Sequence, residues 1–127
     1  MLKNKKILII IGGGISAYKA LDLIRILKKN NMIVKTILTK SGKEFVTPLS
    51  ITTLTKNKTY EDIFDKNSEA EIGHIALSRW ADLTIVLPTT ANFMTKLSIG
   101  KAEDLATTVL LASNKDTLLV PAMNVRM

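Results

Sequence analysis

The chain has 127 residues, 46% of them hydrophobic and 23% charged, which suits one globular domain with its own apolar core and is too apolar for a disordered chain. It contains no cysteine, so disulfides, thiolate metal sites and a cysteine nucleophile are excluded within these residues. The net charge of +7 invites a nucleic-acid reading, but its lysines are spread over termini, helix faces and loops, and 5% aromatic residues are too few for a stacking platform, so no nucleic-acid partner is expected.

Met1 to Lys6 is charged, and the apolar run behind it breaks at Gly12, far short of a signal-peptide core or a membrane span. A cytoplasmic protein with no membrane partner is expected. Lys6 to Ile11 (KILIII) is a continuous β-branched run ending in Gly12-Gly13-Gly14, as suits a strand buried on both faces of a parallel sheet. From Ala17 to Asn30 the residues Ala17, Ala20, Leu21, Leu23, Ile24 and Leu27 recur at helical spacing while Lys19, Asp22, Arg25, Lys28 and Lys29 face away. Asn30-Asn31 ends this helix, and Met32 to Leu38 supplies a second strand, closing a right-handed βαβ unit.

Lys40 to Thr59 reads as loop and short helical turns broken by Pro48, and Tyr60 to Gly73 as polar and irregular. Leu83 to Leu87 is a third buried strand stopped by Pro88, Ala91 to Ile99 and Leu105 to Ala112 are helical, and Thr117 to Val120 is a fourth strand stopped by Pro121. The pattern predicts one α/β domain over 1–127, an open parallel sheet in a flavodoxin-like or Rossmann-like three-layer sandwich, incomplete at its C-terminus. In such a sheet, the loops after the strands form the ligand crevice.

Four of those loops carry chemistry. Gly12 to Ala17 joins a buried strand to a helix, where glycines permit close backbone approach, the helix start offers N–H groups to an anion, and Ser16 is placed to cap. Gly12, Gly14 and Ala17 also fit the dinucleotide fingerprint, but the acid expected after the second strand is replaced by Thr39-Lys40-Ser41. That sets NAD aside and leaves NADP open, as it leaves open a tight turn with no ligand. Thr39 and Ser41 place hydroxyls beside the glycine turn, for a shared phosphate or for ordinary turn chemistry. Pro88-Thr89-Thr90-Ala91-Asn92 repeats the strand, turn and helix arrangement, with room for a flat ring. His74, the one histidine, titrates near neutrality and suits either catalysis or a packing role; Asn124 places an amide past the fourth strand. No metal-ligand spacing, serine nucleophile motif or carboxylate pair is apparent.

Taken together these phrases resemble the flavin-dependent cysteine decarboxylases, most closely the phosphopantothenoylcysteine decarboxylase domain that occurs alone or fused to phosphopantothenate–cysteine ligase. The resemblance rests on Gly13 to Lys19, the Thr39 loop, Phe45 to Leu49, Gly73 to Leu77, Trp80 to Leu83, Pro88 to Asn92 and Pro121 to Asn124. It implies FMN as cofactor, with Gly13, Gly14, Ile15, Ser16 and Thr39 at the phosphate side and Thr89, Thr90, Ala91 and Asn92 along the ring. It gives His74 the active-site histidine role and Asn124 the substrate carboxylate. It also implies a small-molecule substrate, phosphopantothenoylcysteine, decarboxylated to 4′-phosphopantetheine for coenzyme A synthesis, and a homo-oligomer built from trimers. Gly12 stands where such proteins often have threonine, and Glu103 where an amide is common. Their proton-donating cysteine lies on a flap beyond the Met-Asn phrase, so this chain is expected to lack that flap. An NADP-binding reductase domain and a non-catalytic flavin-binding assembly module are the competing readings.

Overall fold

β1 (Lys6–Ile11) runs through the middle of the sheet because both of its faces are apolar: Ile7, Ile9 and Ile11 enter one core, and Leu8 and Ile10 the other. Each Leu or Ile fully buried here contributes roughly 1.5–3 kcal/mol. The computed structural model describes residues 4–61 and 68–121. β2 (Ile33–Leu38), β3 (Thr59–Glu61), β4 (Leu83–Thr89) and β5 (Asp116–Pro121) complete a five-stranded sheet in the order β3-β2-β1-β4-β5, and every pairing is parallel.

Helices cover both faces, giving the expected three layers. α1 (Tyr18–Lys29) and α2 (Pro48–Thr55) close the first core through Ala20, Ile24 and Ile51. α3 (Ser68–Trp80) and α5 (Leu105–Ala112) close the second through Leu77, Ala106 and Val109. α4 (Ala91–Ser98) buries none of its residues fully and lies at the carboxyl end of the sheet's strands, directly after β4. Beyond β1 the chain winds outward through β2 and β3, then returns to β1's other side for β4 and β5, so the loops after β1 and β4 diverge and open a crevice. At the opposite end, the Lys6 N–H donates to Asp82 Oδ2 (2.9 Å) and the Asp82 N–H to the Lys6 carbonyl (2.8 Å), tying β1 to the start of β4.

Several elements depart from the sequence reading. Pro48 begins a helix instead of breaking one: in the first turn its missing N–H is not needed, and Thr47 Oγ1 accepts the Ser50 N–H at 3.1 Å as the cap. Tyr60 to Gly73 is not wholly irregular, since Tyr60 and Glu61 belong to the edge strand β3 and α3 starts at Ser68. The polar Ser68, Glu69 and Glu71, with Gly73 inside the helix, hide it from a periodicity argument. β4 runs through Pro88 to Thr89, tolerated where the register with β5 shifts between Val86 and Thr89; the Leu87–Pro88 peptide is cis. Ser16 does not cap α1. It lies inside a 3-10 turn, Ile15–Ala17, from which the helix continues, and Ala17 N–H donates to the Gly14 carbonyl at 2.9 Å. Among the described residues no helix is long and apolar enough to cross a membrane.

Candidate functional site

A cavity of about 660 Å³ lies at the carboxyl ends of β1, β2 and β4, bounded by Gly12, Gly13 and Gly14, by Thr39, Lys40 and Ser41, and by Pro88, Thr90 and Asn92. Its size falls within the range of small-molecule and cofactor sites. The sequence places it there through close backbone approach. A Cβ on Gly12 would stand 2.5 Å from the Pro88 carbonyl oxygen, and one on Gly13 would stand 2.5 Å from Ser41 Cβ. The glycine turn is therefore pressed against the end of β4 on one side and the β2 loop on the other. The departure at Gly12 matters here: any side chain at that position would have to displace Pro88.

Thr39 fixes the second wall. It is buried; its Oγ1 donates to the Ile11 carbonyl and accepts the Gly42 N–H, both at 3.0 Å, while its own N–H donates to the same Ile11 carbonyl at 3.1 Å. Its hydroxyl proton is thus committed to holding the β2 loop against the end of β1, and what it offers the cavity is position. Ser41 and Lys40 are exposed beside it and line the opening.

The third wall is the turn from β4 into α4. Thr90 Oγ1 accepts the Phe93 N–H at 3.1 Å and caps α4. Thr89 is fully buried, with Oγ1 donating to the Val86 carbonyl at 2.9 Å, and supports the turn from beneath. Ala91 opens the helix and Asn92 faces the cavity, as do the apolar Phe45, Pro88 and Phe93.

Beyond Asn92 the rim is charged. Lys96 pairs with Glu103 Oε1 at 2.5 Å and Lys101 with Glu103 Oε2 at 3.3 Å; hydrogen bonds from Lys96 and then Lys101 hold the Glu103 carboxyl below the usual carboxylate range. Asp104 caps α5: its Oδ1 accepts the Thr107 N–H at 2.9 Å, and Thr107 Oγ1 accepts the Asp104 N–H at 3.2 Å.

The structure thus gathers Gly13, Gly14, Thr39, Thr90 and Asn92 at one cavity. Ile15 is exposed and Ser16 half-buried on the turn leading into α1. His74 belongs to α3 by its backbone, and Asn124 lies outside the described residues. Phe45, Phe93, Lys96, Glu103 and Asp104 were not anticipated as lining residues. For Lys96 a signal existed, since it stands four residues after Asn92 on the same helix and so shares its face. Among the described residues no group of three or more His, Cys, Asp or Glu side chains is arranged to hold a metal. The donor set suits an anion at the glycine turn and a flat, partly polar ring against Pro88, Thr90 and Asn92.

Comparison with known proteins matches the family model described as Flavoprotein over residues 1–127. The coenzyme A biosynthesis bifunctional protein CoaBC of Haemophilus influenzae is 43% identical over 99% of this chain, which covers 32% of that protein; the chain therefore spans about a third of the length of the curated relatives it matches. Among solved structures, the FMN-dependent cysteine decarboxylase SpaF superposes with a TM-score of 0.87 at 28% identity, covering 99% of this chain and 73% of its own. A cysteine-to-serine variant of PPC decarboxylase complexed with pantothenoylaminoethenethiol superposes with a TM-score of 0.77 at 26% identity, over 97% of this chain and 69% of that one.

Proposed function

The chain belongs to the flavoprotein family, and on that premise we propose that it binds FMN and decarboxylates 4′-phosphopantothenoylcysteine to 4′-phosphopantetheine, as the decarboxylase part of coenzyme A synthesis. The observation that carries this reading is the single cavity in which a glycine turn faces the Thr90-Ala91-Asn92 turn across Thr39. Family membership also favours flavin over the NADP reading left open by Lys40 and Ser41.

Gly13, Gly14, Ile15 and Ser16 would hold the phosphate at the start of α1, where the helix dipole favours an anion and missing side chains bring the backbone close. Thr39 would set the distance between this cradle and the β2 loop. Thr90, Ala91 and Asn92 would form the ring-side wall, braced from beneath by the buried Thr89, with the Asn92 amide available for polar ring edges. When bound, the flavin supplies a two-electron acceptor, which a saturated cysteine carboxylate needs because loss of CO₂ otherwise leaves electrons with no sink. His74 would handle the proton of the substrate thiol and Asn124 would hold the carboxylate, roles supported by the Gly-His-Ile-Ala-Leu and Pro-Ala-Met-Asn phrases. The same reading makes the protein a cytoplasmic homo-oligomer built from trimers.

The test is release and mass analysis of the cofactor from purified protein. FMN is expected. Released FAD would overturn the cofactor assignment, and a colourless protein that binds NADPH and not FMN would overturn the function.

A further inference from the structure

We propose that the Lys96–Glu103 ion pair positions the ring-side wall of the cavity, by fastening α4 to the rigid start of α5; the proposal rests on the flavin reading above. α4 needs such a tether. None of its residues is fully buried, its amino end is fixed by the Thr90 cap, and Phe93 packs only partly against the second core. One turn beyond Asn92, on the same face, Lys96 reaches Glu103. Glu103 is itself fixed from both sides: its second carboxylate oxygen takes Lys101, and the next residue, Asp104, is locked into a reciprocal cap on α5, whose Ala106, Thr107 and Val109 are buried. A continuous line of contacts therefore runs from the core through α5, Asp104, Glu103 and Lys96 to the helix that carries Asn92. Lys96 and Glu103 are also the most sheltered ion pair among the described residues, with side chains 26% and 34% exposed, so solvent screens them less than the others.

For Glu103→Gln a direct electrostatic role and a positioning role predict opposite signs. Removing a carboxylate from the rim of a cavity that takes an anionic ligand should tighten the binding of that ligand, whereas releasing a wall should weaken it. The experiment is a fluorescence titration of the flavin-free protein with FMN, for the parent protein, Glu103→Gln, Lys96→Gln, the double variant and the charge-swapped Lys96→Glu/Glu103→Lys. Each single variant is expected to raise the Kd about fivefold, the size one well-placed, partly sheltered pair supports. The double variant should be no weaker than the worse single, and the swapped pair should recover most of the affinity. Flavin-free unfolding midpoints should stay within about 5 °C of the parent.

A parent protein that does not bind FMN defeats the functional reading itself. With a binding parent, the inference is overturned by Glu103→Gln that binds as tightly as the parent or more tightly, by additive losses in the double variant, or by a larger fall in the unfolding midpoint that accompanies the lost affinity. Should Glu103→Gln not fold, the swapped pair decides: recovery relative to Lys96→Gln supports positioning, and no recovery overturns it.

Discussion

Gly13 and Ser41 meet so closely that a methyl group on the glycine would lie 2.5 Å from the serine Cβ. The glycine turn and the β2 loop are thus in contact through the absence of a side chain. Gly13→Ala should force them apart and weaken FMN binding about tenfold or more, in keeping with the usual cost of overpacking. Adding Ser41→Gly removes the atom that is struck and should restore part of the affinity. Titration of the two variants with FMN checks both statements, and an unchanged Kd in Gly13→Ala would show that the loops yield freely.

Thr39 holds the β2 loop to β1 through two buried hydrogen bonds of its hydroxyl. Thr39→Val keeps the shape and leaves the Gly42 N–H and one lone pair of the Ile11 carbonyl without that partner. It should cost about 1–3 kcal/mol of stability, while Thr39→Ser should cost less than about 1 kcal/mol. Denaturant midpoints at matched slopes distinguish the two.

The Asp82 carboxyl lies below its ordinary value of 3.8, chiefly because it accepts the Lys6 N–H, with Lys5, Lys6 and Lys115 adding favourable charge. A carboxylate favoured in the folded chain stabilises it fully above the ordinary value and loses that contribution as pH falls through the depressed one. Asp82→Asn should therefore be less stable than the parent near neutrality, and the gap should close at pH values below 3.8. A gap that persists unchanged in acid would assign the effect to shape and not to charge.

His74→Asn should lower turnover of phosphopantothenoylcysteine by about 100-fold or more, the scale of a lost proton-transfer group, and Asn124→Asp should lower it about as far by setting a like charge against the substrate carboxylate. His74→Asn should retain bound flavin. Carbon dioxide release measured beside the flavin absorbance checks the pair, and near-normal turnover in either variant rejects its role.

No cysteine occurs in the 127 residues, and a cysteine-to-serine variant of PPC decarboxylase was captured with pantothenoylaminoethenethiol. Given substrate, these residues alone should consequently either remain inactive or yield the ethenethiol, two hydrogens short of the saturated thiol, with one CO₂ per flavin and bleaching of the flavin colour. Catalytic release of 4′-phosphopantetheine, seen by mass spectrometry, would require another proton donor.

The elements that could be read in the sequence were those with an unbroken local signal. β1 and β4 are apolar runs, α1 has a clean stripe, and α5 is bounded by Asp104 and Ser113. β3 was missed because Thr59, Tyr60 and Glu61 become a strand only through pairing with Thr36, Ile37 and Leu38, contacts made far along the chain. α2, with the sequence PLSITTLT, has poor helix propensity and relies on Thr47 and Pro48 to start. At the site, Gly13, Gly14, Thr39, Thr90 and Asn92 were legible because loops after parallel strands converge. Glu103 was noticed only as a departure from a family pattern. Its meeting with Lys96 depends on how α4 lies against the segment before α5, and no local pattern encodes that.

The winding order also sets a timetable for the nascent protein. β1 finds β2 once α1 and the six residues of β2 have been made, through pairs such as Ile7 with Val34, whereas Ile7 meets Leu83 only after the chain has grown through α2, β3 and α3. Chains are synthesised at about 5–20 residues per second. For several seconds, then, the glycine turn and the Thr39 loop have been made while the third wall of the cavity has not, and the other edge of β1 has no strand to pair with. Until β4 arrives, that bare edge is open to wrong pairing.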